Sequence, residues 1–330
     1  MSTQTVDPAL AEMMDAVFAE HGHDADLWAR LDGLGLVRLT GSEEAGGSGA
    51  GWYEAAELLA AAVRHAVRIP LAENDLLAGW LLEALGIDHD GAVRTVCLLD
   101  EHGQARAVPW ASHAHRVVVA WPHDDGHLAA DLAADTLTIT PGANMIGEPR
   151  DTVSADLTAL RGTTVTSDLL AQLSLKSALI RSIQVCATLD RALELSIDHA
   201  SSREQFGRPL AKFQAVQHLI SDIASEAALA RSATEAALSV AITSDWTSPR
   251  LEFLVAAARS CAGHAATVVV RNAHQVLGAI GTTDEHRLPE FTRAALAWRS
   301  EFGSVRHWDA RITEMAIQAG SEQLWSLICP

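Results

Sequence analysis

Residues 201–217, SSREQFGRPLAKFQAVQ, combine residue types that can bind an anionic group. The pattern predicts that one helix ends at Arg203 and another begins near Ala211, with the breaker FGRP between them. An arginine beside a helix start places a fixed cation next to unpaired backbone N–H groups, which suits a phosphate or pyrophosphate. Phe206 adds a flat apolar surface. The spacing alone also allows a plain helix hairpin that carries a solvated arginine.

Residues 274–286, HQVLGAIGTTDEH, form a second candidate segment. Gly278 and Gly281 break a helix and let a ligand or another chain approach the backbone closely. Gln275 supplies a neutral hydrogen-bonding group just before the break. An ordinary turn between two helices fits the same spacing.

The spacing of histidines and cysteines does not indicate a metal site. His21 and His23 alternate along the chain, as do His113 and His115, but neither pair has a third and fourth ligand nearby. The four cysteines are scattered without a CxxC motif, so we expect reduced thiols and a cytoplasmic protein.

Composition limits the classes of function. The chain has 330 residues, 48% of them hydrophobic, and a formal net charge of −18. The electrostatic field of such a negative protein repels the phosphate backbone of nucleic acids, so we expect no nucleic-acid partner. Arginines can still attract a small anion locally. No basic segment followed by an apolar stretch opens the chain, and we expect no membrane span.

Three regions must position the candidate segments. Residues 1–93 predict short helices with Gly-rich turns, including helices over 8–20, 27–33, 53–67 and 72–85. Residues 94–160 contain short β-branched segments at 95–99, 116–121, 127–132 and 136–140, which predict a small antiparallel β-domain. Residues 161–330 predict a bundle of five long helices, over 167–202, 212–243, 249–277, 286–302 and 304–328. The predicted fold class is mainly α with a small central β-domain.

Two motifs carry a resemblance to a known family. REQFGRPLAKFQAVQHLISDIA and QVLGAIGTTDEHRLPEFTRAA resemble the paired C-terminal signatures of the acyl-CoA dehydrogenases. PLAENDLLAGWLLEALG resembles the N-terminal domain of the same family, and the order of helical, β and helical regions is similar to that of its members. The resemblance covers most of the chain.

The resemblance implies an FAD site. Arg203 would bind the FAD pyrophosphate, and Gln275 with Gly278 would complete the site across a subunit interface. Ala279 stands where the family has the second glycine of a pair. Five further residues would border the same cofactor: Gln205, Phe206, Leu210, Phe213 and Gln214.

The family reaction needs a carboxylate that removes a proton from the carbon beside the thioester carbonyl. In many members this Glu follows the second motif, and counting forward from Arg293 reaches Phe302, with Glu301 one residue away. A slip of one residue on a helix rotates a side chain by about 100°. Other members place the Glu on the first bundle helix, and counting back from Arg203 reaches Ser177. Glu301 is therefore the one candidate base in these two places.

The resemblance also implies partners. The flavin-ring segment has no counterpart before Trp121, and the β-domain is short. The chain is similar to the smaller subunit of actinobacterial heteromeric acyl-CoA dehydrogenases, some of which act on steroid side-chain CoA thioesters. That similarity implies a larger subunit in an α2β2 heterotetramer, an acyl-CoA substrate and an electron-transfer flavoprotein as acceptor. Two alternatives remain: a self-sufficient homo-oligomer, associated through its C-terminal bundle, that uses Glu301, and a flavin-free scaffold on the same fold.

Overall fold

The computed structural model describes residues 6–328. The chain divides into two compact units, Met1–Lys176 and Ser177–Pro330. The structure is mainly helical with a small region of sheet, as predicted. The finer division into domains over 1–93, 94–160 and 161–330 stays a prediction.

The first unit opens with α1 (Pro8–His21), α2 (Leu27–Gly33) and α3 (Trp52–Arg64), close to the predicted bounds. Asp7 caps α1, since its Oδ1 accepts a hydrogen bond from the Ala9 N–H at 2.8 Å. The predicted helix over 72–85 forms, but its first part, Ala72–Gly79, is a π-helix that continues into α4 (Trp80–Ala84). This wider helix buries polar side chains as well as apolar ones. Asn74, for example, donates to the Val37 carbonyl and accepts from the Arg94 N–H, both at 2.8 Å.

Seven strands follow in the first unit: β1 (Arg94–Leu98), β2 (Gln104–Pro109), β3 (Arg116–His123), β4 (Gly126–Ala133), β5 (Thr138–Thr140), β6 (Arg150–Ser154) and β7 (Thr163–Val165). They form one sheet of order β1-β3-β4-β7 and another of order β2-β6-β5. The prediction of an entirely antiparallel region was wrong at one place, because β1 and β3 are parallel. The chain crosses to the other sheet at β2 before it returns, so β3 runs in the same direction as β1. Trp121 lies in the core between the strands and is 1% exposed.

Three of these strands escaped the sequence analysis: β2, β6 and β7. Strands β2 and β6 contain alanine, proline or aspartate, which have low strand propensity, and β7 is β-branched but only three residues long.

The second unit is a helical bundle. It contains most of α5 (Ser167–Ser202), then α6 (Gln214–Thr243), α7 (Leu251–Leu277), α8 (Leu288–Trp298) and α9 (Val305–Ile328). All five predicted helices are present. The fourth is shorter than the predicted 286–302, because the chain turns at Arg299 and enters a loop in which Phe302 and Gly303 have positive φ.

Helix α7 lies at the centre of the bundle, and packing explains its composition. Residues 251–282 are long and apolar enough to cross a membrane by composition alone, with a mean hydropathy of 1.5 over 18 residues. Half of that stretch is buried inside the protein, where Ala and Val side chains of α7 face α6, α8 and α9. These are the properties of a core helix.

Candidate functional site

A β-hairpin occupies the first candidate junction. Helix α5 ends at Ser202, as the predicted helix over 167–202 does, and strands β8 (Glu204–Gln205) and β9 (Arg208–Pro209) pair antiparallel. The two residues between them, Phe206 and Gly207, have φ of 55° and 78°. Two-residue hairpin loops require such positive φ values, and the right-handed twist of the strands favours them. The sequence pattern predicts only a helix break here and does not reveal the hairpin, because its strands have only two residues each.

Arg203 lies at the base of the hairpin with an exposed side chain. Its backbone is fixed on both sides, since its N–H donates to the His199 carbonyl and its carbonyl accepts from the Leu210 N–H, both at 2.9 Å. Its guanidinium forms no ion pair with a carboxylate in the part of the chain that the structure describes. A cation held by its backbone and left without a counter-charge is available to an anionic ligand.

The start of α6 lies beside this arginine in the chain. A short 3₁₀ turn over Leu210–Lys212 precedes α6, which begins at Gln214 rather than near Ala211 as predicted. The residue before the helix is Phe213, whose side chain cannot accept a hydrogen bond from the first turn. The N–H groups of Val216 and Gln217 donate to the Phe213 carbonyl, and those of Gln214 and Ala215, without a side-chain cap, can serve a ligand acceptor.

Aromatic side chains border the same junction. Phe206 is 92% exposed at the hairpin tip and meets the edge of Phe213 at a centroid distance of 6.2 Å. The Arg208 guanidinium stacks 4.2 Å from the centre of the Phe213 ring. Gln205 and Gln214 are exposed, and Leu210 is half-buried. The first predicted group of residues is thus gathered at one end of the bundle.

The second junction begins where α7 stops. Gly278 has φ 64° and ψ −140°, a backbone conformation open to glycine and hardly to any other residue, and its N–H donates to the His274 carbonyl. Gly281 is buried for a different reason: a Cβ there would lie 2.8 Å from the Cβ of Leu277. Gln275, Gly278 and Ala279 are all exposed.

Two histidines bring the junctions together. His199, in the last turn of α5, meets His286 edge-to-face at a centroid distance of 6.3 Å. Burial lowers the pKa of His199 below 6.5, and the positive charges of His286 and Arg203 lower it further. Burial also lowers the pKa of His286. The sequence carries no signal for this pair, because the two histidines are far apart in the chain.

Glu301, the predicted base, is held in an ion pair. Its Oε2 accepts from Arg181 Nε at 2.8 Å, and the two side chains are 16% and 2% exposed. Arg181 also donates from Nη1 to Gln184 at 2.6 Å, and its guanidinium lies 5.2 Å from the centre of the Phe302 ring. The Glu301 carboxylate therefore lies against a buried guanidinium, and its role as a base stays a prediction.

Arg259 of α7 holds the loop that carries Glu301. Its Nη2 contacts the carbonyls of residues 298, 299, 301 and 303, at 2.7 to 3.4 Å. Burial lowers the pKa of Arg259 to about 10, and the charge of Arg181 adds to this effect. The conformation of the loop therefore depends on the α7 core.

The second place expected for a base contains no carboxylate. Ser177 is buried in α5 and belongs to the second unit. Lys176, the last residue of the first unit, is 1% exposed, with Nζ 4.8 Å from the ring of Trp52 and 4.4 Å from that of Trp80. Such packing between two indoles is a cation–π contact with both.

The structure also reveals a buried carboxyl that sequence reasoning did not single out. Asp75 in the π-helix is 6% exposed and accepts from the Thr40 N–H at 3.0 Å. Burial raises the pKa of Asp75 to about 7. It lines a small polar pocket with Arg38, Glu83 and His89 in the first unit.

The donor set fits the phosphate part of a dinucleotide better than a metal ion. No group of three or more His, Cys, Asp or Glu side chains that could hold a metal occurs within residues 6–328. An exposed guanidinium, an uncapped helix start, neutral amides and an aromatic surface match the charge, acceptors and rings of a nucleotide. The roles of the individual residues, from Arg203 to Ala279, stay predictions.

Comparisons with known proteins show what the chain is similar to in sequence and in fold. Residues 175–305 match the family model described as the acyl-CoA dehydrogenase C-terminal domain. The chain is 28% identical over 334 residues to the acyl-CoA dehydrogenase FadE34 of Mycobacterium tuberculosis, and the match covers 94% of this chain. It covers only 45% of FadE34, so this chain spans less than half the length of that relative.

Two solved structures share the fold. One is the ChsE4-ChsE5 complex from Mycobacterium tuberculosis, with a TM-score of 0.84, 21% identity and coverage of 95% of this chain and 98% of the solved chain. The other is the Tcur3481-Tcur3483 steroid ACAD G363A variant, with a TM-score of 0.84, 20% identity and the same coverage. The family's enzymes are oxidoreductases that act on acyl-CoA thioesters. Residues 175–305 thus match the C-terminal domain of the acyl-CoA dehydrogenases, and the chain shares its fold with these solved structures.

Proposed function

We propose that this chain is the subunit of a heteromeric acyl-CoA dehydrogenase that lacks the catalytic base, and that it shares an FAD site with a larger subunit. One contrast carries the proposal: Arg203 is exposed and forms no ion pair within residues 6–328, whereas Glu301 is ion-paired with the buried Arg181. The residues that would bind a nucleotide are exposed to solvent. The carboxylate that would act as the base is instead ion-paired with Arg181.

In the proposed site, Arg203 and the first turn of α6 hold the FAD pyrophosphate. Phe206 and Phe213 offer their rings to apolar parts of the cofactor, and Gln275 lies at the exposed end of α7. Bound FAD supplies the acceptor for the hydride that leaves the substrate. This chain binds and orients the nucleotide, while a carboxylate of the larger subunit would take the α-proton.

The relatives, as well as the site, support a partner subunit. More than half of FadE34 lies outside the part that matches this chain, and the ChsE4-ChsE5 structure is a complex of two named proteins. We therefore infer a partner that is itself an acyl-CoA dehydrogenase subunit, in an α2β2 assembly. The steroid ACAD likeness favours a bulky, steroid-like acyl-CoA as substrate. A cytoplasmic location and an electron-transfer flavoprotein as acceptor complete the proposal.

Visible absorption tests the proposal directly. The chain is purified alone and again after co-expression with its neighbouring gene product. We expect the chain alone to be colourless and the complex to show flavin bands that bleach with an acyl-CoA. Flavin bands in the chain alone, bleached in the same way, would mean a self-sufficient enzyme. A colourless complex would favour the alternative of a flavin-free scaffold protein.

Arg203→Ala then tests the site itself. A hydrogen bond to a charged group contributes about 1.5–3 kcal/mol, so we expect FAD affinity of the complex to fall about 10- to 150-fold. Arg231→Ala is the matched control, since this arginine of α6 is 47% exposed and pairs with Asp190 at 2.7 Å. Equal flavin content in the two variants would remove Arg203 from the site.

A further inference from the structure

The contact between His199 and His286 lies where the two family motifs meet, yet neither residue belongs to the predicted cofactor set. His199 is four residues before Arg203 and accepts the Arg203 N–H through its backbone carbonyl at 2.9 Å. His286 is in the turn that follows Gly281, and its Nδ1 accepts from the Leu288 N–H at 3.0 Å. His199 is thus bonded to the hairpin through its backbone, and His286 belongs to residues 278–286, the glycine turn.

We propose that His199 and His286 are positioning residues that hold the hairpin and the glycine turn together, and that they do so only while both rings are uncharged. This inference rests on the proposed dinucleotide site for its effect on the cofactor, but the contact itself does not depend on it.

The charges around the pair support this inference. Arg203 is the charged side chain that acts on His199, and it is positive. The other charged residues next to the pair along the chain are exposed: Asp198, Asp284, Glu285 and Arg287. If both imidazoles became protonated, three positive groups would meet at one end of the bundle, and the rings would repel.

The direction of the pH effect follows from burial. Both rings have a pKa below the 6.5 of an ordinary histidine, so unfolded or separated segments bind protons more readily than the closed contact does. The contact is therefore fully favoured above about pH 6.5 and weakens progressively as the pH falls below that value.

The test compares the wild-type chain with a His199→Phe/His286→Phe double variant, which keeps an edge-to-face ring contact without a titrating group. Hydrogen–deuterium exchange of residues 203–209 and 278–286 is measured at about pH 7.5 and about pH 5.5, corrected for intrinsic exchange. We expect wild-type exchange in both segments to rise about tenfold at the lower pH, and the double variant to show no such rise. His102→Phe is the control, because that side chain is 79% exposed on a turn of the other unit.

A second arm measures the flavin released from the yellow complex over the same pH range. Wild-type complex should release flavin on acidification, and the double variant should retain it. If the complex never binds flavin, the proposed function fails while the exchange measurement still reports on the contact. Wild-type exchange that is equal at both pH values, or a double variant that keeps the wild-type pH dependence, would overturn the inference.

Discussion

Replacing Glu301 by Gln separates a structural carboxylate from a catalytic one. Truncating one partner of a buried ion pair costs about 3–5 kcal/mol, because the other charge stays buried without compensation. Here the cost is smaller, since Gln keeps an oxygen that can accept from Arg181 Nε and Gln184 still accepts from Nη1. Glu301 is also 16% exposed, so water screens part of the charge. We expect the free energy of unfolding to fall by about 2 kcal/mol.

Turnover of the complex should change little in this variant when it is measured under conditions where the protein stays folded. Loss of a true general base lowers the rate about 10²- to 10⁴-fold. Urea titration and a steady-state assay with an acyl-CoA measure the two effects on the same preparation. Glu194→Gln is the control, since Glu194 is 52% exposed and pairs with Arg191 at 2.6 Å on the same unit. A large rate loss without a loss of stability would refute the structural assignment and make Glu301 the base.

Three further predictions concern the two units separately. Asp75→Asn should raise the free energy of unfolding by a few kcal/mol at about pH 8 and leave it nearly unchanged at about pH 4. The buried carboxyl has a pKa of about 7 against 3.8 when unfolded, so wild-type stability falls as pH rises between those values. Urea titrations at both pH values check this, and parallel pH profiles of the two proteins would contradict it. Gly281→Ala should lower the free energy of unfolding by about 1–3 kcal/mol, because the new Cβ would lie 2.8 Å from the Cβ of Leu277. Gly33→Ala is the control in the same thermal unfolding assay and should cost nothing, because its new Cβ would lie in open space. Phe206→Asn should keep stability unchanged or raise it by about 0.5 kcal/mol, because Asn suits a positive φ and Phe206 is 92% exposed. The flavin content of the complex should fall, and unchanged flavin content would mean that the aromatic ring does not contact the cofactor.

Helices and their junctions could be predicted from the sequence because the information is local. Helix α5 runs over Ser167–Ser202 as predicted, since a 36-residue stretch without Pro or Gly keeps its apolar positions at helical spacing. The end of α7 at Gly278 is equally local, because a residue with φ 64° and ψ −140° requires glycine. The types of residue at Arg203 and Gln275 identified the candidate site for the same reason.

What the sequence could not decide depends on residues far apart in the chain. Arg181 and Glu301 are 120 positions apart, and only the packing of α5 against the loop after α8 turns a candidate base into half of an ion pair. The edge-to-face contact of His199 and His286, and the parallel pairing of β1 with β3 across a crossover, have the same origin. Periodicity and residue type thus determined which helices form and where they break. Tertiary packing decided which charges are neutralised and which stay open to a ligand, because burial and charge pairing are properties of neighbours in space.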